Sequence, residues 1–172
     1  MQKKVILITD GACIGNPGPG GWACILRYGD HKRELYGSEP ETTNNRMELK
    51  AVIAGLNALK EPCEVLVTTD SKYVKDGLTE WLESWKKQSW VRKVKGLPGK
   101  QPVKNRDLWE QLDALKGRHS ITLEWVKGHA GHSDNNRCDQ LATKAAREQM
   151  RSALIGGQKS RNNEPDAERS LE

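Results

Sequence analysis

Asp10 and Asp70 each stand directly after a short run of buried-type residues, the first in VILITDG and the second in EVLVTTDS. Such runs predict strands, and open α/β sheets bind ligands at the carboxyl ends of their parallel strands. If the two strands are neighbours, both acids enter one crevice. Two carboxylates brought together repel unless a proton or a cation joins them, so the pair points to a metal site. Glu48, in the opening turns of a predicted helix, and Asp139, beside Cys138 on another, are placed to lean over the same sheet edge. Any one of the chain's 23 acids is by default a solvated carboxylate, so the case rests on the set.

The elements that must position these acids follow from the hydrophobic pattern. Residues 4–10, 22–28 and 32–38 predict three strands, the last two separated by the turn pair Gly29-Asp30, and together they form an antiparallel meander. In TNNRMELKAVIAGLNALK, Leu49, Val52, Ile53, Leu56 and Leu59 share one helical face, with Thr43 or Asn44 available as N-cap. Val65–Thr69 is the next strand and, arriving after a helix, a candidate parallel neighbour of the first through a right-handed crossover. Helices are expected over 71–76 and 79–88, divided by Gly77, and over 106–116. A strand over 121–127 precedes a last helix from Ser133 or Asp134 to about Met150. Beyond it the polar run GGQKSRNNEPDAERSLE predicts a disordered tail, giving one domain over 1–150 and a tail over 151–172.

Composition narrows the function. The chain of 172 residues has the length of one domain, and 35% hydrophobic residues with six Trp supply a core despite the absence of Phe. A net charge of +5 favours an anionic partner, nucleic acid ahead of a membrane surface. The apolar run Val5–Ile8 is too short for a signal-peptide core and no run reaches membrane-spanning length, so a cytoplasmic protein with no membrane partner is expected. Cys13, Cys24, Cys63 and Cys138 are scattered without a CxxC pair, which argues against zinc and against disulfides.

Four stretches then carry a resemblance: TDGACIGNPGPGGW around Asp10, TTNNRMEL around Glu48, TTDSKYV around Asp70, and EWVKGHAGHSDNNRCDQLA spanning His129 and Asp139. In this order they resemble bacterial ribonuclease HI, a type 1 ribonuclease H, from about residue 3 to about residue 147. The resemblance implies a three-layer α/β fold, a five-stranded mixed sheet in the order 3-2-1-4-5 with strand 2 antiparallel and helices on both faces. It also implies a monomeric endonuclease that hydrolyses the RNA strand of RNA·DNA hybrids, leaving 5′-phosphate and 3′-hydroxyl ends. Magnesium prefers oxygen ligands, so carboxylates suit it better than thiolate or imidazole, and two ions about 4 Å apart activate the water and stabilise the leaving oxygen. By resemblance Asp10 bridges two Mg²⁺ ions, with Mn²⁺ as substitute; Glu48 and Asp70 complete one side and Asp139 holds the other. His129, in the Gly-rich KGHAGH loop, takes an auxiliary role in water activation or product release.

The resemblance extends to substrate contacts. Cys13, Asn16, Asn44 and Asn45 line the minor groove of the hybrid, where the 2′-hydroxyl separates RNA from DNA. Thr43 and Asn105 match residues that grip a DNA-strand phosphate, although the acidic Glu41 stands where some relatives place Arg. Lys86 to Arg106 holds eight basic residues and no acidic one, a protrusion suited to phosphate contact. Tyr73, Trp81 and Trp85 are expected to form a channel for the DNA strand, with Lys86 and Lys87 beside it, while Trp90 is expected to anchor the neighbouring helices. Two rivals share parts of this pattern. A non-catalytic hybrid-binding module would have no use for four convergent acids, and the NNRME and GHAGH signatures point away from a DNA-cutting nuclease or transposase of the same fold.

Overall fold

The computed structural model describes residues 2–127 and 133–162, the segment 157–162 by its backbone only. β1 (Lys3–Cys13), β2 (Gly18–Tyr28) and β3 (His31–Thr42) form the expected antiparallel meander, turned at Gly29, whose φ of 54° suits glycine. All three run longer than the apolar pattern indicates. Their ends are rich in Gly, Pro and charge, and ladder hydrogen bonding rather than hydrophobicity carries the pairing there. β4 (Cys63–Thr69) lies parallel to β1 with a constant offset, Lys3 opposite Cys63 and Ile8 opposite Thr68.

After β4 the chain enters α2 (Lys72–Asp76), whose N-cap Ser71 accepts the Val74 N–H at 3.2 Å. The expected break at Gly77 is absent. A π-helical turn over Gly77–Trp81 carries the chain directly into α3 (Leu82–Lys87). Gly77 serves packing here: a Cβ would fall 2.0 Å from the Trp109 ring, so glycine lets the indole of the next helix lie against this one. A hairpin of β5 (Val91–Lys93) and β6 (Lys100–Pro102) follows, in a segment the pattern leaves without strands. The remaining elements are α4 (Arg106–Arg118), β7 (Ser120–Trp125) and α5 (Ser133–Asn162), with α1 (Asn44–Asn57) bridging β3 and β4. The main sheet has the order β3-β2-β1-β4-β7, which is the expected 3-2-1-4-5 once the hairpin strands are set apart.

Alternation along β1 sends Leu7 to one face and Ile8 to the other. On the first face Leu7, Val65 and Val67 pack with Leu49, Val52 and Leu56 of α1 and with Trp109 and Leu112 of α4. On the second, Ile8, Ala23 and Ile25 meet Cys138, Leu141 and Ala142 of α5, which crosses β1, β2 and β3. Small residues on α5 bring that helix close to the strand bearing Asp10. The expected disordered tail is corrected over 151–162, where α5 continues to Asn162. Leu154 and Ile155 there are 62% and 53% exposed, so backbone hydrogen bonding holds this end without core contact. Residues 163–172 lie outside the described residues. Among the described residues no helix is long and apolar enough to cross a membrane.

Candidate active site

Continuing the β1–β4 offset by two residues sets Asp10 level with Asp70 at the carboxyl ends of two adjacent parallel strands. Asp10 is 7% exposed. The Asp70 end is fixed from β7: the Trp125 indole N–H donates to the Asp70 carbonyl at 3.1 Å and the Val126 N–H to the Thr69 carbonyl at 2.9 Å. Glu48 arrives on α1, which starts at the N-cap Thr43, whose Oγ1 accepts the Arg46 N–H at 3.3 Å. Its approach depends on Gly11, where a Cβ would lie 2.5 Å from the Glu48 nitrogen. Any side chain at Gly11 would push α1 off the strand and Glu48 away from Asp10.

Carboxylate oxygens of Asp10, Glu48 and Asp70 all lie within 4.8 Å of one another. Burial, reinforced by the Asp70 charge, pushes the Asp10 carboxyl up to about 7, against the pull of the Gly11 N–H that donates to it at 2.9 Å. Burial, then Asp10, then Asp70 hold Glu48 well above the ordinary carboxylate range. Its Oε2 is buried and has no hydrogen-bond partner. An all-oxygen donor set with an orphaned, buried carboxylate oxygen fits a hard divalent cation. Asp139 stands at the side of this trio, outside the close set, yet near enough that its charge pushes Asp10 up further. His129 lies outside the described residues.

The other expected contact residues fall into two groups. Beside the acids, the Cys13 thiol donates toward the carbonyls of Thr42 and Gly18 at 3.3 and 3.4 Å, and the Asn16 side-chain carbonyl accepts the Asn44 N–H at 3.1 Å. Asn44 and Asn45 are exposed in the first turn of α1. Farther along, Asn45, Tyr73, Trp81, Trp85, Arg92, Val103, Lys104 and Asn105 line a groove of about 280 Å³. Tyr73, Trp81, Trp85 and Trp109 form a continuous aromatic wall with ring centroids 5.3 to 6.2 Å apart. Trp85, only 6% exposed, is more core than platform. Trp90 packs against the core as expected, with the Arg106 guanidinium 5.6 Å from its ring.

Polar bonds lock this groove in place. The Tyr73 hydroxyl accepts from Asn105 Nδ2 and from Trp109 Nε1, both at 3.0 Å. Asn105 Oδ1 accepts from Arg46 at 3.3 Å, and Arg46 also grips Asp107 with two bonds of 2.7 and 3.0 Å. Lys86 is spent on Asp113 at 3.0 Å, whereas Lys87 makes no ion pair among the described residues. Arg46 and Trp125 were not singled out by sequence, and Arg92 only as one of the basic residues of the protrusion. Arg46 sits inside the NNRMEL stretch and Trp125 inside EWVKGHAGH, so position was legible, but the bonds depend on how α1, α4 and β7 pack.

The RNase H family model matches residues 2–147. A ribonuclease H of Solibacter usitatus is 59% identical over 151 residues, covering 88% of this chain and all of the relative. Among solved structures, LC9-RNase H1, a type 1 ribonuclease H, superposes with a TM-score of 0.75 at 33% identity, covering 87% of this chain and 74% of that one. LC11-RNase H1 in complex with an RNA/DNA hybrid shares the fold with a TM-score of 0.60 at 22% identity, over 85% of this chain and 99% of that one. Every strand of the main sheet and all three clustered acids fall inside the matched span, and the chain belongs to the ribonuclease H family.

Proposed function

We propose that the protein hydrolyses the RNA strand of RNA·DNA hybrids to 5′-phosphate and 3′-hydroxyl ends, with Asp10, Glu48, Asp70 and Asp139 holding two magnesium ions. The observation that carries this is the Asp10–Glu48–Asp70 trio, whose charges repel until a cation joins them. Magnesium bound there supplies an activated water and neutralises charge at the leaving oxygen, and manganese substitutes for it. The Gly11 N–H keeps one Asp10 oxygen fixed while Glu48, deprotonated on binding, contributes its free Oε2. His129 moves a proton in water activation or product release.

Recognition of the hybrid divides between the two sets of residues. Cys13, Asn16, Asn44 and Asn45 meet the minor groove, where 2′-hydroxyls are displayed. Thr43 and Asn105 hold a DNA-strand phosphate, Tyr73, Trp81 and Trp85 wall the DNA channel, and Lys86 and Lys87 face its backbone. Support comes from the groove between α1 and the hairpin and from the hybrid bound to a neighbour of the same fold. Residues 1–150 carry the chemistry and 151–172 are an appendage to it. All of these groups come from one chain, in keeping with a monomer acting in the cytoplasm.

One labelled sequence, prepared as RNA·DNA, DNA·DNA and RNA·RNA duplexes with magnesium, tests this reading. Cleavage confined to the RNA strand of the hybrid is expected. Cutting of duplex DNA at a comparable rate would give the site to a DNA nuclease instead.

A further inference from the structure

Along the outer face of α5, Asp139, Gln140, Thr143, Lys144, Arg147, Glu148 and Arg151 line a shallow groove of about 430 Å³. One end of it is Asp139, which the proposed reaction assigns to the cation site. The other end is cationic. Lys144 pairs with Glu148 at 3.9 Å, but Arg147 and Arg151 are exposed and make no ion pair among the described residues. Elsewhere Arg27, Arg46, Arg106 and Arg137 are each committed to a carboxylate, while Arg33, Arg92 and Arg118, outside this helix, also make no ion pair among the described residues. The packed face of α5 is occupied by Cys138, Leu141, Ala142, Ala145 and Ala146, so the two arginines have no part in the core.

We propose that this groove is a phosphate subsite for the scissile RNA strand, in which Arg147 and Arg151 neutralise phosphates several nucleotides from the one cut beside Asp139. The inference rests on the hybrid-cleaving reading above. Continuity selects the strand: Asp139 belongs both to the groove and to the acid site, so the backbone leaving that site passes along α5. The aromatic groove that takes the DNA strand lies elsewhere, between α1 and the β5–β6 hairpin. Arg147 and Arg151 stand eight and twelve residues beyond Asp139, about 12 and about 18 Å of helix rise. A strand advances about 3.4 Å per phosphate, so the reach is a few nucleotides rather than one. Charge is complementary, with Arg suited to paired hydrogen bonds on phosphate oxygens.

The test uses the full chain carrying Arg147→Ala and Arg151→Ala together, on a long hybrid and on a short one whose RNA keeps its full length on one side of the cut and ends a single nucleotide from it on the side that runs along α5. On the long hybrid KM should rise about tenfold at low salt, far more than the turnover number falls, and the salt dependence of binding should flatten by about two units of slope. On the short hybrid variant and wild type should match. Arg147→Lys with Arg151→Lys keeps the charge and should restore most of the affinity, which separates phosphate contact from a structural role of the helix. Equal KM values on the long hybrid, or equal losses on both hybrids, would overturn the subsite while leaving the cleavage reaction intact. A wild-type protein that does not cut hybrid would overturn the reaction and the subsite together.

Discussion

The acid cluster and the aromatic groove share α1, which sends Glu48 to one and Asn45 to the other, yet they are built on opposite principles. In the groove the donors and acceptors, the buried Arg92 Nε apart, are mostly satisfied within the chain: Tyr73 accepts twice, Asn105 bonds both ways, and Arg46 is held by Asp107. Among the acids the reverse holds. Glu48 Oε2 has no partner, and burial with mutual repulsion raises the proton affinity of Asp10 and Glu48. A surface that grips a long polymer gains from a preorganised wall, because rigidity lowers the entropy lost on binding. A surface that must hold a small cation gains from charge that nothing else in the protein neutralises.

The sharpest way to break this contrast is to remove the frustration. Asp10→Asn should lower the cleavage rate on the order of a thousand-fold, as expected for losing several kcal/mol of transition-state stabilisation. Without metal the same change should make the fold more stable at high pH. A carboxyl whose folded pKa is raised contributes stability below its unfolded value near 3.8 and loses it as pH rises through about 7. Denaturant melts of metal-free wild type should therefore weaken from pH 4 to pH 8, and those of the variant should weaken less. His129→Ala comes next, with the rate expected to fall on the order of a hundred-fold without vanishing. An unchanged pH–rate profile near neutrality would return His129 to a structural role.

Tyr73→Phe probes the satisfied side of the comparison. It strips an acceptor from the buried Trp109 indole and from Asn105, which should cost about 1–3 kcal/mol of stability by chemical denaturation. A negligible loss would show that the groove is held by packing alone. The smallest effect separates two neighbouring lysines. Lys87→Ala should flatten the salt dependence of hybrid binding by about one unit of slope, whereas Lys86→Ala should change it less because Asp113 already neutralises that charge.

How much of this was legible in sequence follows the same divide. Asp10 and Asp70 could be read because each ends an apolar strand, and the meander and the parallel pairing of β1 with β4 followed from the pattern of elements, whereas the full sheet order came from the family resemblance. Glu48 was placed over the same sheet edge by its position in α1, but how closely it approaches depends on Gly11 admitting the backbone of that helix, a contact across 37 positions of sequence that leaves no periodic trace. The β5–β6 hairpin escaped because Val91–Lys93 and Lys100–Pro102 are short and rich in lysine. Gly77 misled because in isolation it signals a break, whereas the Trp109 ring pressed against it supplies the packing that keeps the helix continuous. The far end of α5 was missed because residues 151–156 are all exposed and bury nothing that hydrophobic patterning could register.

Magnesium titration at pH 6, with calorimetry in buffers of different ionisation enthalpy to count protons, tests the frustrated cluster most directly. At that pH the Asp10 carboxyl, pushed up to about 7, holds a proton that a bound cation must displace, so wild type should release protons on binding and Asp10→Asn should release fewer. Binding without proton release, or a release that Asp10→Asn leaves unchanged, would contradict the claim that these acids are kept in conflict for a cation.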